Sequence, residues 1–250
     1  MNIRYEYAGT DVGAHTTAGR VVIYGGGGNL VHPYPNARDF IATHHRGAAK
    51  LVVLPHTIRS YPELFKDMTG NVDVFCRDLP SYEFMTHTPT GANVYLSDDV
   101  ALRSDVGLTL QYRASHAQEY RDKVRLSRRA KRQVRQVFHS VRNIGHPKVL
   151  NVFREDVEKT AVAIPFSNVD LSQTLCGLDM SPFHARETAS AFFAFINRHE
   201  VVNTNRLHVC IASLLLNKEV HFYDNSYGKN MSIFNFSLKD RFSNLTMHTS

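Results

Sequence analysis

The residue types best suited to hold an anion lie near the carboxyl-terminal end of the chain. Arg206 and His208 open a strongly apolar, helix-like segment just after Asn203 and Thr204. Cationic side chains are disfavoured at a helix N-terminus by the helix dipole, whereas a bound anion is favoured there. An anion would remove this conflict, so the sequence predicts an anion site at the start of this helix.

Two further segments of the same half carry polar groups directly after predicted strands. Arg154 and Asp156 follow the apolar run 148–153, and a planar guanidinium suits bidentate contact with a carboxylate or phosphate. A polar turn follows Tyr223, and its residue types also fit a plain loop. The donors of this turn are the amide of Asn225, the hydroxyl of Ser226 and the ammonium of Lys229.

The first half of the chain offers a second set of candidates at strand ends. A glycine run at 25–28 precedes Asn29 and lets backbone N–H groups approach a ligand, although a tight strand-to-helix turn without a ligand is the alternative. His56 and Arg77 end two successive apolar runs. A histidine can exchange a proton near neutral pH and an arginine can hold an anion, but both residues could equally serve as caps or ion-pair partners.

The elements that position these residues follow an α/β pattern. Short apolar runs without alternation are separated by helical stretches, which is typical of a doubly wound parallel sheet covered on both faces. Ligands of such sheets bind beyond the carboxyl ends of the strands. The predicted strands are 20–24, 50–54 (ended by Pro55), 72–76, 93–96, 148–153, 200–203 and, as the last, 219–223, and the predicted helices are 37–45, 78–88, 185–198 and 207–216.

A basic stretch separates the two halves. Residues 111–143 hold ten lysine and arginine residues against two acidic ones, and the rest of the chain carries a net charge of −2. The stretch predicts one amphipathic helix over 114–141, with an apolar face opposite an arginine face. That face is a solvated surface, a site for an anionic membrane or partner, or a nucleic-acid site. The arginines are Arg121, Arg125, Arg128, Arg132 and Arg135.

These patterns predict three regions. An N-terminal Rossmann-like unit covers 1–110, a basic linker helix covers 111–145, and a C-terminal Rossmann-like unit with the anion site covers 146–250.

Composition excludes several classes of protein. The chain is 43% hydrophobic and 21% charged, which is typical of a soluble globular protein and not of a collagenous or disordered one. It has no apolar run of eighteen residues and begins without the apolar core of a signal peptide, so we expect a cytoplasmic protein. Cys76, Cys176 and Cys210 are expected to be reduced core thiols. No metal is expected, because the adjacent His44 and His45 diverge on a helix.

Six motifs together resemble the polysaccharide pyruvyl transferase family, in their order and rough spacing over residues 20 to 236. They are Gly25-Gly-Gly-Gly-Asn29, Leu54-Pro-His-Thr57, Arg77-Asp78 with Ser81-Tyr82, Arg154-Glu-Asp-Val-Glu158, Arg206-Leu-His208 and Asp224-Asn-Ser-Tyr-Gly-Lys229. The resemblance implies two facing Rossmann-like halves, as in GT-B-type glycosyltransferases. It also implies transfer of a pyruvyl group from phosphoenolpyruvate to a sugar of a cell-surface glycan, forming a ketal. The family usually has a further βα segment before the glycine run, so we expect a shortened first unit.

The resemblance and the residues together suggest roles for the candidates. His208 is the expected general acid, and Asp156 or His56 would accept the proton of the sugar hydroxyl. Phosphoenolpyruvate is the donor substrate and no cofactor is expected. The phosphate and carboxylate of the donor would be held by Arg154, Arg206, His208, Asn225, Ser226 and Lys229, and the acceptor by Asn29 and Arg77.

The basic helix gains a role in this hypothesis. Glycan precursors are commonly assembled on lipid carriers, so the arginine face could hold the enzyme at the anionic inner face of the membrane. No specific nucleic-acid partner is expected.

Three other functions stay open at this point. A GT-B-type glycosyltransferase that uses a nucleotide sugar would keep the fold, although the chain has no tryptophan and no Glu-rich nucleotide-sugar signature. A non-catalytic polyanion-binding protein would use only the basic helix. A degenerate family member would bind the donor without transferring its pyruvyl group.

Overall fold

A computed structural model describes residues 5–7, 9, 12–32, 34–116, 148–156, 162–171, 181–225 and 228–249. The described chain is α/β with two parallel sheets, which confirms the predicted fold class at this level. It divides into two compact units, one of residues 1–100 with 235–237 and the other of 101–234 with 238–250. The region boundaries near 110 and 145 stay predictions. Most of the predicted basic helix, with all five arginines of its face, lies outside the described residues, as do Ser226 and Cys176.

The sheet of the first unit is built on the long strand β3. Strands β1 and β2 pair one after the other with the same edge of β3, β4 pairs with its other edge, and β5 pairs with β4, all in parallel. Alternate apolar side chains of β3 and β4 are fully buried, so they form the core. The strands are β1 (Val21–Tyr24), β2 (Gly27–Leu30), β3 (Lys50–Ile58), β4 (Val72–Cys76) and β5 (Asn93–Leu96).

Helices of this unit begin where the sequence supplies starting signals. Proline stands in the first turn of three of them, where its missing N–H costs nothing. Asp78 caps the last, because its carboxylate accepts the backbone N–H of Ser81 at 2.9 Å. The helices are α1 (Ala14–Thr17), α2 (Pro35–His44), α3 (Pro62–Lys66) and α4 (Leu79–Thr86).

The structure corrects two predictions around Pro55. Strand β3 does not end at Pro55: its first half pairs with β1 as far as Val53, and its second half pairs with β2 from His56. Proline has no N–H, and Pro55 falls between these two ladders, so the strand can continue through it. The alternative of a tight strand-to-helix turn at 25–28 is also wrong, because Gly27 and Gly28 belong to β2. A Cβ on Gly26 would lie 2.9 Å from the carbonyl oxygen of Pro55, so the close approach of these two backbone segments requires glycine.

One face of this sheet carries exposed apolar side chains. Val21 and Ile23 on β1 are 68% and 64% exposed, and exposed Tyr95 stacks on Phe75 with ring centroids 4.9 Å apart. The expectation of cover on both faces therefore does not hold at these positions. The opposite face packs against the described helices α2 and α4.

The second unit contains a four-stranded parallel sheet in the order β6-β7-β8-β9. The prediction that 219–223 is the last strand is wrong, because β9 pairs with β8 in parallel. A short 3-10 turn (Val100–Arg103) precedes α5, and a π-helical turn (Phe234–Leu238) follows α8. The elements are α5 (Val106–Ser115), β6 (Val149–Val152), α6 (Pro182–Ile196), β7 (Val201–Thr204), α7 (Leu207–Leu215), β8 (Glu219–Tyr223), α8 (Lys229–Ile233) and β9 (Leu245–His248).

Two of the three cysteines occupy the cores, as predicted. Cys76 and Cys210 are free and fully buried. Burial raises the pKa of the Cys76 thiol to about 12 and that of Cys210 well above its usual range. None of the helices within the described ranges is long and apolar enough to cross a bilayer.

Candidate functional site

The carboxyl-terminal ends of β6, β7 and β8 are tied together by two asparagine side chains. Asn205, after β7, accepts the backbone N–H of Arg154 through Oδ1 at 2.8 Å. Asn230 donates from Nδ2 to the carbonyl oxygens of Asn205 and Tyr223 at 2.8 and 2.9 Å. The three predicted polar segments of the second unit are therefore assembled at one edge of its sheet, where parallel α/β sheets bind ligands.

Arg206 is the N-cap residue of α7. Its backbone N–H donates to Thr204 Oγ1 at 2.9 Å, and the hydroxyl of Thr204 donates to the carbonyl of Val152 at 2.7 Å. Its Nη2 pairs with Asp170 Oδ2 at 2.5 Å, and both side chains are largely buried. The helix has no side-chain cap, so the amides of its first turn point to the site without a protein acceptor from the N-cap residue.

At the start of α7, buried hydrogen-bond donors outnumber the acceptors that the protein supplies. Arg206 Nε and Asn205 Nδ2 are both buried, and neither finds a hydrogen-bond partner in the structure as described. Buried polar groups of native proteins are nearly always paired, so two unpaired donors on consecutive residues make this a candidate site for an external acceptor. His208 lies exposed in the first turn of the same helix.

Arg154 is bound to a carboxylate in the structure. Its Nε and Nη2 donate to the two oxygens of Asp156 at 2.9 and 2.7 Å. Asn168 holds the end of β6 beside them, because its side chain bonds the backbone N–H and carbonyl of Phe153. The predicted roles of Arg154 as an anion clamp and of Asp156 as a proton acceptor stay predictions, and each would require the pair to open.

The turn after β8 is organised by its own polar side chains. Asn225 Oδ1 accepts the backbone N–H of Lys229 at 2.9 Å, and Asp224 Oδ1 accepts the backbone N–H of Asn225 at 2.9 Å. Gly228, with a φ of 73°, is the N-cap residue of α8. Asn225 and Lys229 are both buried, and their contacts with a donor substrate stay predictions.

In the first unit the structure joins two residues that were predicted separately. His56 Nε2 lies 2.6 Å from Asn29 Oδ1, and His56 Nδ1 lies 3.3 Å from the carbonyl oxygen of Leu54. Tyr24 completes the group: burial raises the pKa of its phenol, although a hydrogen bond with Asn29 opposes that shift. His56 is fully buried, so its predicted role as a proton acceptor requires Asn29 to move aside.

Arg77 has the ion-pair role that the sequence left open. Its side chain is 2% exposed and pairs with Asp99 through Nη1 at 2.7 Å. Its Nε donates to Thr57 Oγ1 at 2.9 Å, and that hydroxyl donates to Asp78 at 3.0 Å. This network joins the ends of β3 and β4, and contact of Arg77 with an acceptor sugar stays a prediction.

Sequence reasoning missed Asn205, Asn230 and Asp170. Each of the three acts through a contact with a residue far away in the sequence, so no local pattern announces it. The signal that could have found the two asparagines is their place directly after β7 and shortly after β8. Across the described ranges, no three His, Cys, Asp or Glu side chains come together as a metal-ligand set.

The fold and this edge define an α/β protein with a candidate site for an anion. A profile of the polysaccharide pyruvyl transferase family matches residues 5–227. The chain therefore belongs to this family, and the resemblance found from its motifs is confirmed.

A solved structure similar to the chain belongs to a functionally uncharacterized protein of Klebsiella pneumoniae subsp. pneumoniae NTUH-K2044. It is 28% identical, with a TM-score of 0.66, and the match covers 94% of this chain and 77% of that one. A search of curated proteins finds no significant match.

Proposed function

We propose that the chain transfers a pyruvyl group from phosphoenolpyruvate to two hydroxyls of a sugar in a cell-surface polysaccharide or its lipid-linked precursor. Membership of the polysaccharide pyruvyl transferase family supports the reaction class. The observation that supports phosphoenolpyruvate as the substrate is the surplus of buried hydrogen-bond donors at the start of α7. Phosphoenolpyruvate brings two anionic groups that could accept these hydrogen bonds.

The reaction forms two carbon–oxygen bonds and breaks one. The methylene carbon of phosphoenolpyruvate takes a proton and becomes the methyl group of the ketal. Both sugar oxygens bond to the central carbon of phosphoenolpyruvate. The bond from that carbon to the phosphate oxygen breaks, and phosphate leaves with the proton of the second hydroxyl. Negative charge grows on the departing phosphate, and fixed donors stabilise that charge best. Arg206 is the central hydrogen-bond donor to the phosphate in this proposal. Asn225, Ser226 and Lys229, on the polar turn after Tyr223, are the further donors.

Proton transfer is assigned to three residues. His208, exposed beside the start of α7, supplies the proton to the methylene carbon. Asp156 or His56 accepts a proton from the sugar. Arg154 would leave Asp156 when the donor arrives, because a dianionic phosphate competes strongly for a guanidinium.

The proposal also includes the arrangement of the two units and the location of the enzyme in the cell. The two units would face each other as in GT-B-type glycosyltransferases, with Asn29 and Arg77 on the acceptor side. The enzyme would act in the cytoplasm without a cofactor, at the inner membrane face through its arginine helix. That contact predicts binding to anionic liposomes at low salt and release at high salt.

Thermal shift tests the donor site first. Phosphoenolpyruvate should raise the melting temperature of the wild-type protein more than inorganic phosphate does, because only the native state binds it. Arg206→Ala should abolish this shift, His208→Asn should keep part of it, and Arg198→Ala, at an exposed arginine after α6, should keep all of it.

Turnover follows as phosphate release with a panel of acceptor sugars. His208→Asn should release none, and normal turnover by both site variants would dismiss this site. A rise in melting temperature with uridine diphosphate but not with phosphoenolpyruvate would favour the glycosyltransferase that uses a nucleotide sugar. Binding of polyanions alone, with steep salt dependence, would favour the polyanion-binding protein.

A further inference from the structure

Asn205 has an unpaired donor in a fixed orientation. Its residue is 2% exposed, it directly precedes the N-cap residue of α7, and its Nδ2 has no partner in the described structure. The oxygen of the same carboxamide accepts the N–H of Arg154 at 2.8 Å. A backbone N–H can only donate, so the atom that faces it must be Oδ1, and Nδ2 must be the unpaired atom.

The backbone of Asn205 is held as firmly as its side chain. Its carbonyl oxygen accepts from Asn230 Nδ2 at 2.8 Å, and Asn230 is itself buried between the ends of β7 and β8. The carboxamide therefore has little freedom to turn and find another acceptor. An unpaired buried donor lowers the stability of the folded state, so a fold keeps one where a ligand supplies the acceptor.

We propose that Asn205 is a ligand-binding residue of the anion site, and that its Nδ2 donates to an oxygen of a bound phosphate group beside Arg206 Nε. The inference rests on the proposed function, because that function places a phosphate at the start of α7. Asn230 and the backbone of Arg154 position Asn205 for this contact.

Isothermal titration with inorganic phosphate as the probe tests the contact. In Asn205→Asp, one carboxylate oxygen still accepts the N–H of Arg154, while the other places negative charge at the position that Nδ2 occupies in the wild-type protein. The phosphate Kd should rise at least tenfold. Asn203→Asp is the matched control, because it adds the same charge two residues earlier, on β7, at a side chain that donates to Asn151, and its Kd should change less than threefold.

Folding is controlled separately. Melting temperatures without ligand show which variants are native, and Asn205→Ala provides a second route if Asn205→Asp does not fold. Asn205→Ala removes the donor without adding charge and should also weaken phosphate binding, by about fivefold.

The outcomes separate the inference from the proposed function. Loss of phosphate binding in the Asn205 variants alone supports the inference, even if no acceptor sugar is ever pyruvylated. Wild-type affinity in folded Asn205 variants overturns the inference and leaves the proposed function standing. Failure of the wild-type protein to bind either phosphate or phosphoenolpyruvate overturns both.

Discussion

Asp170 holds Arg206 in an ion pair of 2.5 Å, Oδ2 to Nη2, at the place where the sequence predicts an anion. The carboxylate lowers the positive potential that an incoming phosphate meets. It also orients the guanidinium, whose Nε remains buried and unpaired in the described structure. Asp170 thus both competes with the proposed ligand for Arg206 and orients the side chain that we propose binds it.

Asp170→Asn should therefore bind inorganic phosphate more tightly. Removal of one nearby charge is worth about 1 kcal/mol or more, which corresponds to at least about a fivefold lower Kd. Titration calorimetry measures the change. Asp67→Asn, which removes the carboxylate of an exposed ion pair with Arg46, is the control and should keep the wild-type Kd. Weaker binding by Asp170→Asn would mean that orientation of Arg206 outweighs competition.

Substitution of two adjacent glycines should have unequal effects on stability. Gly26→Ala forces a Cβ to within 2.9 Å of the Pro55 carbonyl oxygen, whereas a Cβ on Gly25 meets nothing within 4 Å. Overpacking of this kind costs about 1–3 kcal/mol, and Gly25→Ala should stay within about 0.5 kcal/mol of the wild type. Urea denaturation measures both free energies of unfolding. Equal effects would show that the chain shifts freely at the β1–β2 connection.

Loss of one partner from the buried pair of the first unit should be costly. Arg77 and Asp99 have side chains only 2% and 3% exposed, so Asp99→Asn leaves a buried cation without its counter-charge. We expect a loss of about 3 kcal/mol in the free energy of unfolding. Asp67→Asn serves again as the comparison and should cost at most about 1 kcal/mol. A small loss for Asp99→Asn would show that the rest of the network neutralises Arg77.

Stability should fall as the pH is lowered below the ordinary histidine pKa. Burial, with the charges of Arg198 and Lys218, lowers the pKa of His199 from 6.5, although bonds to backbone carbonyls oppose the shift. Just below pH 6.5 the unfolded chain therefore binds the proton more readily than the folded chain does, and acid favours unfolding until the folded-state pKa is passed. The urea midpoint should fall from pH 7.5 to 5.5, and His199→Gln should make that fall smaller. An unchanged slope in the variant would assign the effect to other groups.

The sequence predicts an element best where its signal is local. Strands β4, β5 and β8 were predicted at their observed bounds, because each is an apolar run between polar or turn-forming residues. Strand β2 was missed because Gly27 and Gly28 have the composition of a turn, and pairing with β3 decides their conformation instead. Strand β9 was missed because its four residues are stabilised by β8, more than twenty residues earlier.

The site divides in the same way. Arg154 could be found because it directly follows a predicted strand, and Arg206 because it opens a predicted helix. Their carboxylate partners could be found only in part, since Asp156 is two residues from Arg154 whereas Asp170 is thirty-six from Arg206. The pairing of His56 with Asn29 depends on β2, so a sequence whose glycines have the composition of a turn does not predict it.

The change of partner at Pro55 divides β3 into two halves that can open separately. The ladder of Lys50–Val53 with β1 and the ladder from His56 with β2 share no residue pair. Amide hydrogens of the second half can therefore exchange with solvent through a local fluctuation that leaves the first half closed. Hydrogen exchange would then show a step in protection across Pro55. The end of the sheet that holds Asn29 and His56 could then rearrange around the acceptor sugar that we propose, without the global unfolding of the unit.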